Sequence, residues 1–152
     1  MKRFLSLVIC LCAILSLAAP VYAQQQENVL YYQETDLGNG ITMIDEVVEC
    51  PQARTIYGKT AQRTRTIKDG DTVIAVIAFQ ATFHYDGTTV IVASKSIVRE
   101  DTYEGWSFKQ ESFTANGGTV SLTGKLTKWL ILKSETFTMS LSCDKDGTIT
   151  VH

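Results

Sequence analysis

The stretch Asp71–Val98, DTVIAVIAFQATFHYDGTTVIVASKSIV, decides the fold. Val73, Ala75, Ile77, Phe79, Ala81, Phe83 and Tyr85 alternate with Thr72, Ile74, Val76, Ala78, Gln80, Thr82 and His84. A period of two, rich in β-branched and aromatic residues, is a strand pattern; a helix would repeat near 3.6. The odd-numbered face is apolar throughout and is expected to be buried. The even-numbered face stays apolar only to Ala78, so its outer half should meet water. Asp86-Gly87 follows, a pair suited to a two-residue type I′ turn because both residues tolerate positive φ. With that turn Phe83 would face Val90 and Ala81 would face Val92. A slip of one residue would destroy the match.

Upstream, Ile56–Ile67 carries Lys59, Arg63 and Arg65 on the same side as Ala61 and Ile67, with Thr60, Gln62, Thr64 and Thr66 opposite. Neither side is plainly apolar, so the segment reads as an edge strand. Ile41–Glu49 alternates imperfectly and is ended by Cys50-Pro51, since proline cannot donate to a ladder and restricts the residue before it. Val29–Gln33 reads as a short strand and Asp36–Gly40 as a turn. Downstream, Arg99–Gly105 reads as a polar loop, and Trp106–Phe113, Val120–Thr127, Thr136–Cys143 and Thr148–Val151 as strands. Gly124 suggests a bulge, and Trp129–Leu132 an apolar bend between sheets. About eight or nine strands, with turn signals at nearly every junction, predict an all-β, immunoglobulin-like antiparallel β-sandwich. No helix longer than two turns is expected after Ala23.

The first 23 residues stand apart. Lys2-Arg3, the apolar run Phe4–Ala19 and Val21-Tyr22-Ala23 have the layout of a secretory signal peptide (1–23) cleaved after Ala23. Cys10 and Cys12 follow large aliphatic residues, so no lipid anchor is read. Residues 24–152 then form a single exported domain, with no second apolar run to span a membrane. Without Lys2 and Arg3, the 14 basic residues fall to 12 against 16 acidic ones, a formal charge of −4. That balance argues against nucleic acid as a partner. Cys50 and Cys143 remain after processing. In an exported chain they read as one disulfide, with two buried thiols as the alternative.

Asp36-Leu37-Gly38-Asn39-Gly40-Ile41, Phe83-x-Tyr85-Asp86-Gly87, Trp106 and Leu141-x-Cys143-x-x-x-Gly147 together resemble a group of small exported proteins of Gram-positive bacteria. Members often carry a cysteine shortly after the Tyr-Asp-Gly turn, where Val90–Ala93 has none. The resemblance implies a β-rich fold and no catalytic residues.

Chemistry-bearing patterns are few. His84 and His152 are not set at metal-ligand spacing, and no Gly-x-Ser-x-Gly is present. Ser142-x-Asp144-x-Asp146-Gly147 imitates the start of a calcium loop, but the bidentate carboxylate due at its twelfth position has no counterpart. Most aspartates sit beside turn glycines, where backbone geometry explains them. No catalytic residue, metal site or cofactor is therefore assigned, and the chain is read as a non-enzymatic binding module of the envelope or exterior. A carbohydrate-binding module and a small secreted hydrolase are the alternatives. Two candidate contacts follow. Lys59, Arg63 and Arg65 form a basic ladder that would protect an edge, or touch an anionic envelope polymer or another surface protein. Tyr103 and Trp106 offer rings to a sugar, against the plainer reading of Trp106 as a core anchor.

Overall fold

The computed structural model describes residues 28–50, 57–103, 105–128 and 133–152. The signal-peptide segment and the Trp129–Leu132 bend lie outside them. Nine strands follow in order: β1 (Asn28–Gly38), β2 (Ile41–Cys50), β3 (Gly58–Asp69), β4 (Thr72–Tyr85), β5 (Val90–Thr102), β6 (Trp106–Asn116), β7 (Thr119–Lys128), β8 (Lys133–Cys143) and β9 (Ile149–Val151). β1 to β5 make one antiparallel sheet and β6 to β9 a second, each in consecutive order. The chain thus changes sheet once, between β5 and β6. Two facing antiparallel sheets are the architecture the alternation predicts; the connectivity is a pair of meanders rather than a Greek key.

The odd-numbered face of β4 meets the second sheet. Ile77, Phe79, Ala81 and Phe83 pack with Val47 and Ala61 of their own sheet and with Val120, Leu122, Met139 and Leu141 from across the gap. Each fully buried large apolar side chain contributes about 1.5–3 kcal/mol. A second cluster, Ile41, Ile67, Ile74, Ala75, Trp106 and Leu126, closes one end of the sandwich. Gln80, Thr82 and His84 lie on the wetter outer face, as expected.

Four local expectations change. β3 lies between β2 and β4, in the centre of its sheet, so it is not an edge strand. The β4–β5 connection spans Asp86–Thr89 instead of two residues. The Asp86 carboxylate accepts the amide N–H groups of Thr88 (2.9 Å) and Thr89 (2.7 Å), which stabilises the longer turn. Tyr85 consequently pairs with Val90 and Phe83 with Val92, while an irregularity before Phe83 sets Ala81 against Lys95. Arg99–Thr102 belongs to β5, opposite Ala78–Ala75: an edge strand tolerates polar side chains while its main chain pairs. Finally, the irregularity expected at Gly124 sits across from it, between Gln110 and Ser112 of β6. Gly124 serves packing, because a Cβ there would collide with the Phe108 ring.

Candidate functional site

The basic ladder is the first place where sequence and structure part. Its parity on β3 is shared with Ala61 and Ile67, and that face points between the sheets. Arg63 and Arg65 are accordingly 3% and 5% exposed. Both meet Asp45, which lies on the inward face of β2 between Met43 and Val47. Arg65 donates from Nε to Oδ1 (2.8 Å) and from Nη2 to Oδ2 (2.6 Å), a bidentate pair. Arg63 Nη2 donates to Oδ2 at 3.1 Å.

The guanidiniums also reach across the gap to the main chain of β8 and β9. Arg63 Nη1 donates to the carbonyl oxygens of Ser140 (2.7 Å) and His152 (2.6 Å), and Arg65 Nη1 to that of Thr138 (3.4 Å). β9 pairs β8 only from Leu141 to Cys143, with Ser140 and His152 bonded just beyond. The arginines thus satisfy carbonyls near the place where this pairing stops. Two lysines repeat the pattern from the same sheet: Lys59 Nζ donates to the Gly147 carbonyl (3.2 Å) and Lys95 Nζ to that of Phe113 (2.7 Å). Arg65 further lies over the Phe137 ring, 5.1 Å from its centroid.

Electrostatics follow from burial. Burial alone would raise the Asp45 pKa, but the hydrogen bonds and charges of Arg65 and Arg63 outweigh it and hold the carboxyl below its usual value. For Arg63, burial lowers the pKa, Asp45 opposes that, and Arg65 adds to it. Among the side chains of this cluster, two guanidiniums share one carboxylate. The ladder is an internal tie between sheets, and Arg63 and Arg65 are not placed to touch a polymer outside.

Turn aspartates are likewise committed. Asp144 accepts from the amides of Asp146 (2.9 Å) and Thr148 (2.8 Å), and these donors help hold its pKa down.

Cys50 and Cys143 are unbonded. Cys50 lies on the outer face of the first sheet, where Gln80 Nε2 donates to its sulfur at 3.2 Å. Cys143 belongs to the core between the sheets. The expected disulfide is therefore absent: the β2 alternation turns Cys50 away from the inner face. Burial, with help from Asp144, pushes the Cys143 thiol up to about 11. Since the thiolate is the nucleophile, a maleimide should modify Cys50 in the folded protein and leave Cys143 unmodified until denaturant is added. Peptide mapping reads the order, and equal labelling would contradict this placement.

Trp106 and Tyr103 are not a paired platform. Tyr103 is exposed, whereas Trp106 is 8% exposed and belongs to the end cluster. Beside it opens a pocket of about 120 Å³, walled by Leu37, Ile41, Ile67, Ile74, Leu126 and Trp106. Glu135, exposed on β8, also lines it. The indole N–H of Trp106 is buried and has no acceptor among the described residues.

The remaining surface feature is β1. Val29, Leu30, Tyr32 and Leu37 are all exposed on it. Among the described residues it pairs with β2 alone, and from Tyr31 to Asp36 it does so without irregularity. No lysine, arginine or proline interrupts its eleven residues. The opposite edge, β5, carries Lys95 and Arg99; both edges have two irregularities, those of β1 at Val29/Tyr31 and Asp36/Gly38. The sequence reads as a short strand at Val29–Gln33 and a turn at Asp36–Gly40; the strand runs on to Gly38, and its open edge escapes sequence reasoning because its apolar residues fall on both faces.

Comparison of the chain with family models, curated proteins and solved structures returned no match.

Proposed function

We propose that residues 24–152 form an exported, non-enzymatic interaction module that works by accepting an extended segment of another polypeptide along β1. The observation that carries this reading is the regular, cation-free and proline-free edge from Tyr31 to Asp36, flanked by the exposed Val29, Leu30 and Leu37. Native sheets blunt their edges with charges, prolines or bulges, because an open edge is a template for another strand. β5 carries Lys95 and Arg99; β1 carries no cation or proline, and its two irregularities, at Val29/Tyr31 and Asp36/Gly38, leave Tyr31–Asp36 regular between them. Strand addition draws affinity from main-chain hydrogen bonds and specificity from alternate side chains. Glu34 and Asp36, with no cation on the strand, favour a partner bearing lysine or arginine opposite them. The leader-like first 23 residues support export, and the resemblance noted above favours a Gram-positive source.

A photo-crosslinking phenylalanine derivative at Tyr32 should yield an adduct with a second polypeptide in the producing cells, and Glu34→Lys should abolish it. The same label at Glu100, on the protected edge, should give none. Equal adducts at both positions, or none at Tyr32, would overturn the reading.

A further inference from the structure

The outer face of the second sheet has no part in strand addition along β1. Val120, Leu122 and Leu126 of β7 and Met139 and Leu141 of β8 fill the core, so the residues between them face away from it. Every one of those outward positions, from Thr119 to Thr127 and from Ser134 to Ser142, is serine or threonine except Lys125. All are exposed or half-buried. β6 continues the face with Lys109, Ser112 and Thr114, which pair with Lys125, Thr123 and Ser121. The one carboxylate of β6, Glu111, falls at the irregularity between Gln110 and Ser112.

Two features of this face select a ligand. The first is its rows of hydroxyls, which bond to one another across β7 and β8: Thr119 to Ser142 at 2.9 Å, Ser121 to Ser140 at 2.8 Å and Thr123 to Thr138 at 3.1 Å. Such a pair spends one proton between two oxygens, so each keeps an O–H to donate outward and lone pairs to accept. Sugar hydroxyls have the same double character. The second feature is charge. Lys109 and Lys125 stand directly opposite each other on neighbouring strands, an arrangement in which like charges repel. Among the described residues neither has an ion-pair partner. An anion seated between them removes the repulsion, on a chain whose 16 acidic residues otherwise outnumber its 14 basic ones. The outward positions of β7 and β8 hold no aromatic ring and no arginine, so the face lacks the stacking groups that hold nucleic-acid bases.

We infer that this face binds an anionic polysaccharide, with one acidic group of the glycan accepting from Lys109 and Lys125 and the neighbouring sugar hydroxyls paired with the serine and threonine rows of β7 and β8. Both lysines reach solvent, so their attraction is screened beyond about 8–10 Å at physiological salt and binding is salt-sensitive. The inference stands independently of the edge-strand reading, since β1 belongs to the other sheet.

The probes are oligomers of α-1,4-linked galacturonate, the same oligomers fully methyl-esterified, and oligothymidylate of similar length, each titrated at low salt into the ¹⁵N-labelled protein. Galacturonate should shift backbone amides of β6, β7 and β8 saturably, and the uncharged ester should bind about tenfold more weakly. Lys109→Gln and Lys125→Gln should each weaken galacturonate binding about threefold and together about tenfold, the range for solvent-screened ion pairs. Neither should lower the urea midpoint, because each relieves a like-charge pair. Lys68→Gln, on the first sheet, should leave the affinity within about twofold. Thr123→Val/Thr138→Val removes one hydroxyl pair at nearly constant shape, which folding tolerates, and should weaken binding about threefold. The inference is overturned if galacturonate gives no saturable shift, if the ester or oligothymidylate binds as tightly, or if Lys109→Gln/Lys125→Gln binds like the wild type.

Discussion

Asp45→Asn should destabilise the protein by about 3–5 kcal/mol, the cost of breaking a buried ion pair by removing one partner. The asparagine would keep the shape but leave the buried guanidiniums of Arg63 and Arg65 without a counter-charge. The same substitution should alter the acid limb of stability. Asp45 has a folded pKa below its unfolded value, which is near 3.9. Its contribution is therefore present above about pH 4 and is lost as pH falls through the lower folded value. Asp86 and Asp144, also held down by turn hydrogen bonds, act in the same direction. Urea unfolding at pH 7 and over the acid range should show a large loss at neutral pH for Asp45→Asn, and a shallower further decline below pH 4 than in the wild type. Unchanged stability at pH 7 would mean that the carboxylate does not hold the arginines in place.

Gly124→Ala is the second large effect, expected to cost about 1–3 kcal/mol through overpacking. The added methyl would occupy the space of the Phe108 ring. That ring cannot retreat freely, because it stacks on Phe137 at 5.9 Å between centroids, and Phe137 in turn lies beneath Arg65. Phe108→Ala alone should also destabilise, by less than the ~3–5 kcal/mol of a fully buried ring because Phe108 is half-buried. The double substitution should be less damaging than the sum, since each change removes the conflict or the void that the other creates. Thermal or urea denaturation of the four proteins measures this coupling. Strict additivity would show that Gly124 does not seat Phe108.

Strand positions were legible because period-two alternation depends only on neighbours along one chain. Ile77, Phe79, Ala81 and Phe83 declare a buried face without reference to any other strand. Which strand stands beside which is a different kind of information. Arg63 and Arg65 on a mixed face look like an exposed edge until Asp45, some 20 residues earlier, is set opposite them. The clue was present: Asp45 falls on the parity of Ile41, Met43 and Val47, and the arginines on that of Ala61 and Ile67. A carboxylate and two guanidiniums at apolar parity on successive strands can neutralise one another indoors. The cysteines carried a similar clue, since Cys50 lies off the parity of Ile41, Met43 and Val47. The β4–β5 register failed for a different reason. Asp86 uses its side chain to build a longer turn, a choice that the dipeptide Asp-Gly does not reveal. The pocket was invisible because its walls come from both sheets.

The basic ties from one sheet to the carbonyls of the other bear on the order of events during synthesis. Residues 63 and 65 leave the ribosome well before residues 138–152, whose main chain supplies their partners. Until that later segment arrives, the first sheet holds two guanidiniums and a carboxylate on the very face it must dry. Water is the better host for those groups in the interval. The first five strands should therefore stay wet and open on that side, and desolvation should come as one late event when β8 and β9 settle. Apolar side chains could let the two layers slide by a residue; hydrogen bonds at fixed carbonyls do not. The same contacts that delay closure thus set the alignment in which it occurs.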